Sequence, residues 1–136
     1  MNKEFVSYTQ ALVLRELGFD EPCIYYVDKH NNDFIYNFEN HPNDFIEWCG
    51  GNVVKTPLYQ QAFRWFRDKH NLLHELNSAQ KDSWLITIWE TSSTTKHGVY
   101  NGKRWDCDDL DENIPHTYEE AELACLNKLI EICKTK

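Results

Sequence analysis

Three stretches of this sequence open in the same way, and each dictates where a helix must begin. They are "SYTQA" from Ser7, "TPLYQQA" from Thr56 and "TYEEA" from Thr117. In each, a hydroxyl can accept one of the backbone N–H groups that the first helical turn leaves unpaired. Ser7 with Gln10, and Thr117 with Glu120, have capping-box spacing, in which the fourth side chain reaches back to the cap's own amide. Pro57 suits the first helical position, where its missing donor is not needed. The pattern predicts helices from Tyr8 to Leu17, stopped by Gly18 in a left-handed conformation, from Pro57 to about Leu73, and from Tyr118 to about Lys134. The shared Tyr-x-(Gln/Glu)-Ala does not require a duplication, because such caps arise independently.

Strands fill the intervals. "CIYYVD" and "DFIYNF" flank the turn-forming Lys29-His30-Asn31-Asn32 and read as a hairpin. Phe34, Tyr36 and Phe38 share one face of its second strand by alternation, which predicts an inward aromatic face. "WLITIWE", Trp84 to Glu90, is apolar on both faces and β-branched, the pattern of a central strand. "GVYNGKRW" follows as a weaker edge strand with a turn or bulge at Asn101-Gly102. "FIEWCGGN" fits either a short strand or a helical turn. The order is helix, two strands, a short element, helix, two strands, helix. Hairpins without βαβ crossovers predict an α+β chain, with an antiparallel sheet of about four to five strands and three helices mainly on one face.

A chain of 136 residues fits one domain, 1–136, with 41% hydrophobic and 26% charged residues placing it among folded proteins. Its formal charge of −8, from 14 basic against 22 acidic side chains, repels phosphate backbones and argues against ordinary DNA or RNA binding. A basic protein suits that charge better. Cys23, Cys49, Cys107, Cys125 and Cys133 form no CxxC pair, and Glu4, Arg15 and Glu16 interrupt the apolar N-terminal stretch. No apolar run approaches the roughly 18 residues a membrane span needs. Reduced thiols in a cytoplasmic protein are the expectation.

The blocks "SYTQALVLRELGFDEPC", "PLYQQAFRWFRDKHNL" and "TYEEAELACLNKLIEI" resemble the hallmark segments of a family of small proteins without an assigned activity. That family is frequent in bacteriophages and prophages of the Bacteroidetes. The resemblance implies a setting, a phage-borne protein acting in the cytosol of a bacterial host. It implies no site residues, and residues 31 to 56 and 78 to 116 match it less well.

Candidate sites compete with structural explanations. His70 and His74 stand four apart, a spacing that can share a zinc on a helix, but Asn71 replaces the glutamate of a zinc-protease motif and no third ligand is identifiable. His70 falls within the stripe Tyr59, Ala62, Phe63, Phe66 and Leu73, so a core-edge role is favoured. "CGGNVVKT" lacks the second glycine of a phosphate loop, although Lys55 and free helix-start amides could hold one anion. Cys49 beside two glycines has no histidine at a recognised spacing. Cys125 aligns with Tyr118, Ala121, Leu129 and Ile132, a core position.

The run "DCDDLDEN" carries Asp106, Asp108, Asp109, Asp111 and Glu112 without the glycine and terminal glutamate of a calcium loop. It reads as a solvated acidic loop, or as a phosphate-like surface for a basic partner. The second helix has another apolar row, Leu58, Trp65 and Leu72, and the third adds Leu123 and Ile130. Such width predicts a further contact, either helix to helix or with a second copy of the chain. An exposed Trp65, with Arg64 and Arg67 nearby, would also stack a base and pair a phosphate.

The sequence points first to a non-enzymatic binding protein that sequesters or blocks a host protein, a possible antagonist of host defence, needing no cofactor. The alternatives are capture of a small nucleotide by aromatic stacking, and an enzyme centred on Cys49 or on His70 and His74.

Overall fold

A computed structural model of the chain describes residues 4–30, 33–36, 52–80, 83–91, 104–106 and 115–135. They form three helices and two three-stranded antiparallel sheets, an α+β arrangement. The single sheet of four to five strands is therefore replaced by two. The chain divides into two compact units, Met1–Gln61 and Ala62–Lys136.

In the first unit, α1 (Tyr8–Glu16) buries Ala11 and Leu14. Ser7 is its N-cap, but the Ser7 hydroxyl bonds the side chain of Gln10 and not a backbone amide, so the reciprocal box does not form. The expected stop does form. Gly18 has φ 104°, its N–H donates to Arg15 O at 3.0 Å, and Phe19 N–H donates to Leu14 O at 2.9 Å. These two bonds satisfy carbonyls that the last turn would otherwise orphan. Nothing lies within 4 Å of the place a Gly18 Cβ would occupy, so space is no obstacle to a side chain there, but the backbone angle is. Gly18→Ala is expected to lower stability by about 1 kcal/mol, measured by denaturant unfolding.

The sheet of this unit has the order β2–β1–β3, with β1 (Tyr25–Asp28), β2 (Phe34–Tyr36) and β3 (Val53–Thr56). The predicted hairpin is closed by Asp28 N–H to Asp33 O at 2.9 Å, and the Asp28 carboxylate accepts the His30 amide at 2.7 Å. Such an aspartate supplies the turn with a side-chain substitute for a backbone acceptor. The expected inward aromatic face is only partly enclosed. Phe34 packs on Phe5 and Tyr25 with centroids at 5.6 and 6.1 Å, while Tyr36, opposite Tyr25, is 48% exposed. Phe38, with residues 37–51, lies outside the described residues.

β3 corrects two expectations. Val53 to Thr56 is a strand paired with β1, where "CGGNVVKT" suggested a connection or an anion loop. Thr56 is the end of that strand and not a helix cap. It is fully buried, and its hydroxyl donates to Val6 O. Val6 N–H donates to Pro57 O at 3.0 Å and Phe5 bridges Leu58, so Pro57 and Leu58 stay extended and α2 (Tyr59–His70) starts later than Pro57. Gln61 on α2 donates to Pro22 O at 2.9 Å.

The second unit contains the rest of α2, then β4 (Leu72–Gln80), β5 (Ser83–Glu90), β6 (Arg104–Asp106) and α3 (Tyr118–Thr135), with sheet order β4–β5–β6. "WLITIWE" is central, as its two apolar faces require. The second helix does not reach Leu73: Asn71 takes φ 57°, and Leu72 begins a nine-residue strand. Asparagine tolerates the left-handed region better than other non-glycine residues, which makes it an efficient helix stop. α3 starts at Tyr118 as predicted, with Glu120 N–H donating to Thr117 Oγ1 at 3.1 Å, while the Glu120 carboxylate accepts the amide of His116, one residue before the cap, at 2.8 Å. It buries Ala121, Cys125, Leu126, Leu129, Ile130 and Ile132 and packs on β4 and β5. Leu123 is exposed.

Candidate functional surface on the second sheet

Alternation along the second sheet gives it two faces of different chemistry. The register sets Leu72, His74 and Leu76 opposite Glu90, Ile88 and Ile86, with Trp84 further along. This inner face carries the buried Leu72, Ile86 and Ile88. It meets α2 through Phe63 and His74, rings 4.1 Å apart, and α3 through Trp84 and Tyr118 at 5.3 Å.

The outer face is made by Leu73, Glu75 and Asn77 of β4, Leu85, Thr87 and Trp89 of β5, and Arg104 and Asp106 of β6. Its apolar members, Leu73, Leu85 and Trp89, are half-buried; Glu75, Asn77, Arg104 and Asp106 are exposed. Trp89 is flanked by Arg104, whose guanidinium carbon stands 5.7 Å from the ring centroid. Cation and ring attract there. Asp106 faces Thr87 across the ladder, accepting its hydroxyl at 3.2 Å, and pairs with Arg104 at 3.1 Å. Both charges are about half exposed, so the pair orients the side chains more than it stabilises the fold.

Of the described residues predicted from sequence, all but one fall elsewhere. Trp65 is 3% exposed, with Phe66 and His70 rings at 5.0 and 4.8 Å, so a stacking platform at Trp65 is closed. Leu72 is 1% exposed, on β4 and not on a helix, and Leu58 is half-buried in the bridge to Phe5. The supposed row Leu58, Trp65, Leu72 is therefore not an outward stripe. Arg64 and Arg67 are exposed on α2, Arg67 beside Asp68 at 3.5 Å. Asp106 lies on the outer face at the end of β6. Asp108, Asp109, Asp111, Glu112, Cys49 and Cys107 are outside the described residues.

His70 and His74 are separated by the break at Asn71: His70 ends α2 and His74 is on β4. Among the described residues, no three His, Cys, Asp or Glu side chains come together as a metal set. Burial holds His74 below the ordinary histidine value of 6.5, and the Arg67 charge pushes it the same way. The unfolded chain then binds a proton more readily than the folded one, so stability is greatest above that value. It falls as pH drops from 6.5 through the lower folded value. Denaturant unfolding between pH 7.5 and 5 should show this loss, and His74→Phe should make the curve flatter. Cys23 is pushed up to about 12 by burial, opposed by Lys55 and aided by Glu21, a poor environment for a thiolate nucleophile.

The outer face was missed because its strongest residues, Leu73 and Trp89, lie on strands that read as a helix end and as a strand buried on both sides. The signal available was the alternation Leu73-Glu75-Asn77 against Leu72-His74-Leu76. Among the described residues, no helix is long and apolar enough to cross a membrane. Compared with known proteins, the chain matches no family model, no curated protein and no solved structure.

Proposed function

We propose that this chain is a non-enzymatic binding protein, carried by a phage, that covers a basic protein in the cytosol of the bacterial host and so blocks it. The observation that supports this reading is the outer face of the second sheet. It sets the half-buried Leu73 and Trp89 on one side, and Leu85 on the other, of a polar row made by Glu75, Thr87 and Asp106. Half-buried apolar side chains set among exposed polar and charged ones are a composition that protein interfaces use. Trp is the side chain most often found to anchor such a contact. The run of carboxylates Asp108, Asp109, Asp111 and Glu112 follows Asp106 directly in the chain. On a protein of charge −8 it favours a partner of opposite sign and speeds encounter with it.

The test is recovery of a partner from host lysate on immobilised protein, repeated with two variants. Reversing Asp108, Asp109 and Asp111 to lysine, and separately Leu85→Arg on the outer face, should each abolish recovery of the same basic protein while circular dichroism stays unchanged. Recovery that survives both variants contradicts the reading.

A further inference from the structure

The edge of the second sheet gives the proposed contact a form, resting on the reading that this sheet binds a basic protein. β4 is nine residues long and pairs with β5 alone among the described residues. Thr91 N–H donates to Asn71 O at 2.8 Å, and the register places those two residues opposite each other. Pairs alternate along an antiparallel ladder, so Leu73, Glu75 and Asn77 turn their backbone groups toward β5. Leu72, His74 and Leu76 turn theirs away. Leu72 is buried, which leaves His74 to Leu76 as the reachable stretch.

Proteins ordinarily guard such an edge with lysine, proline or inward charge. The sequence of β4, LLHELNSAQ, has no Lys, Arg or Pro, and its single charge is Glu75, exposed on the outer face. We infer that β4 accepts an extended basic segment of the partner as an added antiparallel strand. The added strand would use the amides and carbonyls of His74 and Leu76 for affinity, as in other strand-addition complexes. The residue opposite Glu75 lies on the outer face and is Lys or Arg, because cross-strand neighbours of opposite charge attract. Its two neighbours fall on the inner face beside His74 and Leu76, and are apolar. The recognised pattern is apolar–basic–apolar. A second copy of this chain fits less well, because each copy carries −8.

The test uses an amidated peptide of alternating valine and lysine, seven residues long at roughly 3.4 Å per residue, enough to span the stretch. Its glutamate counterpart is the control. Amide exchange is followed by NMR on the full chain. Binding of the lysine peptide should slow exchange at His74 and Leu76 at least about tenfold, since an open edge amide becomes part of a ladder. Glu75→Lys, at an exposed position, should weaken that peptide about fivefold and favour the glutamate peptide.

Binding that moves Trp89 and Leu85 signals but leaves His74 and Leu76 exchange unchanged overturns the edge inference and leaves the outer-face reading standing. No binding at millimolar peptide also overturns the edge inference, while the face is judged by its own recovery experiment. Equal binding of both peptides refutes the assigned role of Glu75.

Discussion

Replacing Trp65 by alanine is expected to destabilise the protein by about 3–5 kcal/mol, read from denaturant unfolding, because a buried tryptophan leaves a large cavity. Trp65 is 3% exposed and lies edge-on to Phe66 and His70 at 5.0 and 4.8 Å. It stands on the buried side of α2 with Ala62, Phe63 and Phe66, all nearly inaccessible. Deleting the indole removes its burial and strips contacts from its neighbours, which a close-packed interior cannot fully recover. Trp65→Phe should cost less, since it keeps most of the apolar volume. A small loss for Trp65→Ala, with a loss of partner recovery at full stability, would instead make Trp65 a surface anchor.

The second large effect is expected from the other kind of tryptophan. Trp89→Ala should weaken partner binding by about 2 kcal/mol or more, roughly thirtyfold in Kd, the size typical of an anchoring tryptophan. Its stability cost should be smaller than that of Trp65→Ala, because Trp89 is half-buried on an outer face and already touches solvent. Titration calorimetry with the recovered partner, alongside unfolding of the free variant, separates the two quantities. Arg104→Ala should have a milder effect, since its guanidinium at 5.7 Å positions the ring and shares Asp106 at 3.1 Å. Arg104 is exposed, so little stability is at stake. Binding unchanged in Trp89→Ala would remove the outer face from the account.

These two tryptophans also show how far the sequence could be read. Local signals survived where the chain satisfies them locally. Gly18 stops α1 because only glycine enters φ 104° without strain, Thr117 with Glu120 starts α3, and the Asp28 carboxylate turns the hairpin. "WLITIWE" proved central because its β-branched and aromatic residues fit a pleat, and β4 and β6 pair with its two edges. What failed depended on distant partners. Thr56 has cap chemistry, but its hydroxyl goes to Val6 O across the fold, and the segment Val53 to Thr56 pairs with β1. "NLLHEL" has residues compatible with helix, yet Asn71 in the left-handed region breaks it and tertiary pairing with β5 takes the rest.

Once that break is misplaced, every site inference built on helical spacing across it moves with it, while Cys125 of α3 stays in the core as its spacing predicted. His70 and His74 lose their shared face, and the row Leu58, Trp65, Leu72 dissolves into a bridge, a core and a strand. The aromatic richness was legible in composition; which tryptophan is enclosed was not, because enclosure is decided by the partner strand. Asp106 was legible as an acidic position, but its placement opposite Thr87 on the outer face required the register. The row expected on the second helix leaves no exposed apolar surface there, whereas Leu123 of α3 is exposed and Leu73, Leu85 and Trp89 of the second sheet are half-buried.

The most direct measurement is hydroxyl-radical footprinting of the native chain, alone and bound to its recovered partner, read residue by residue by mass spectrometry. Trp65 should stay unmodified in both states, while Trp89, Leu73 and Leu85 should be modified in the free chain and protected when it is bound. Modification of Trp65 in the free protein, or an outer face whose labelling the partner leaves unaltered, would contradict it.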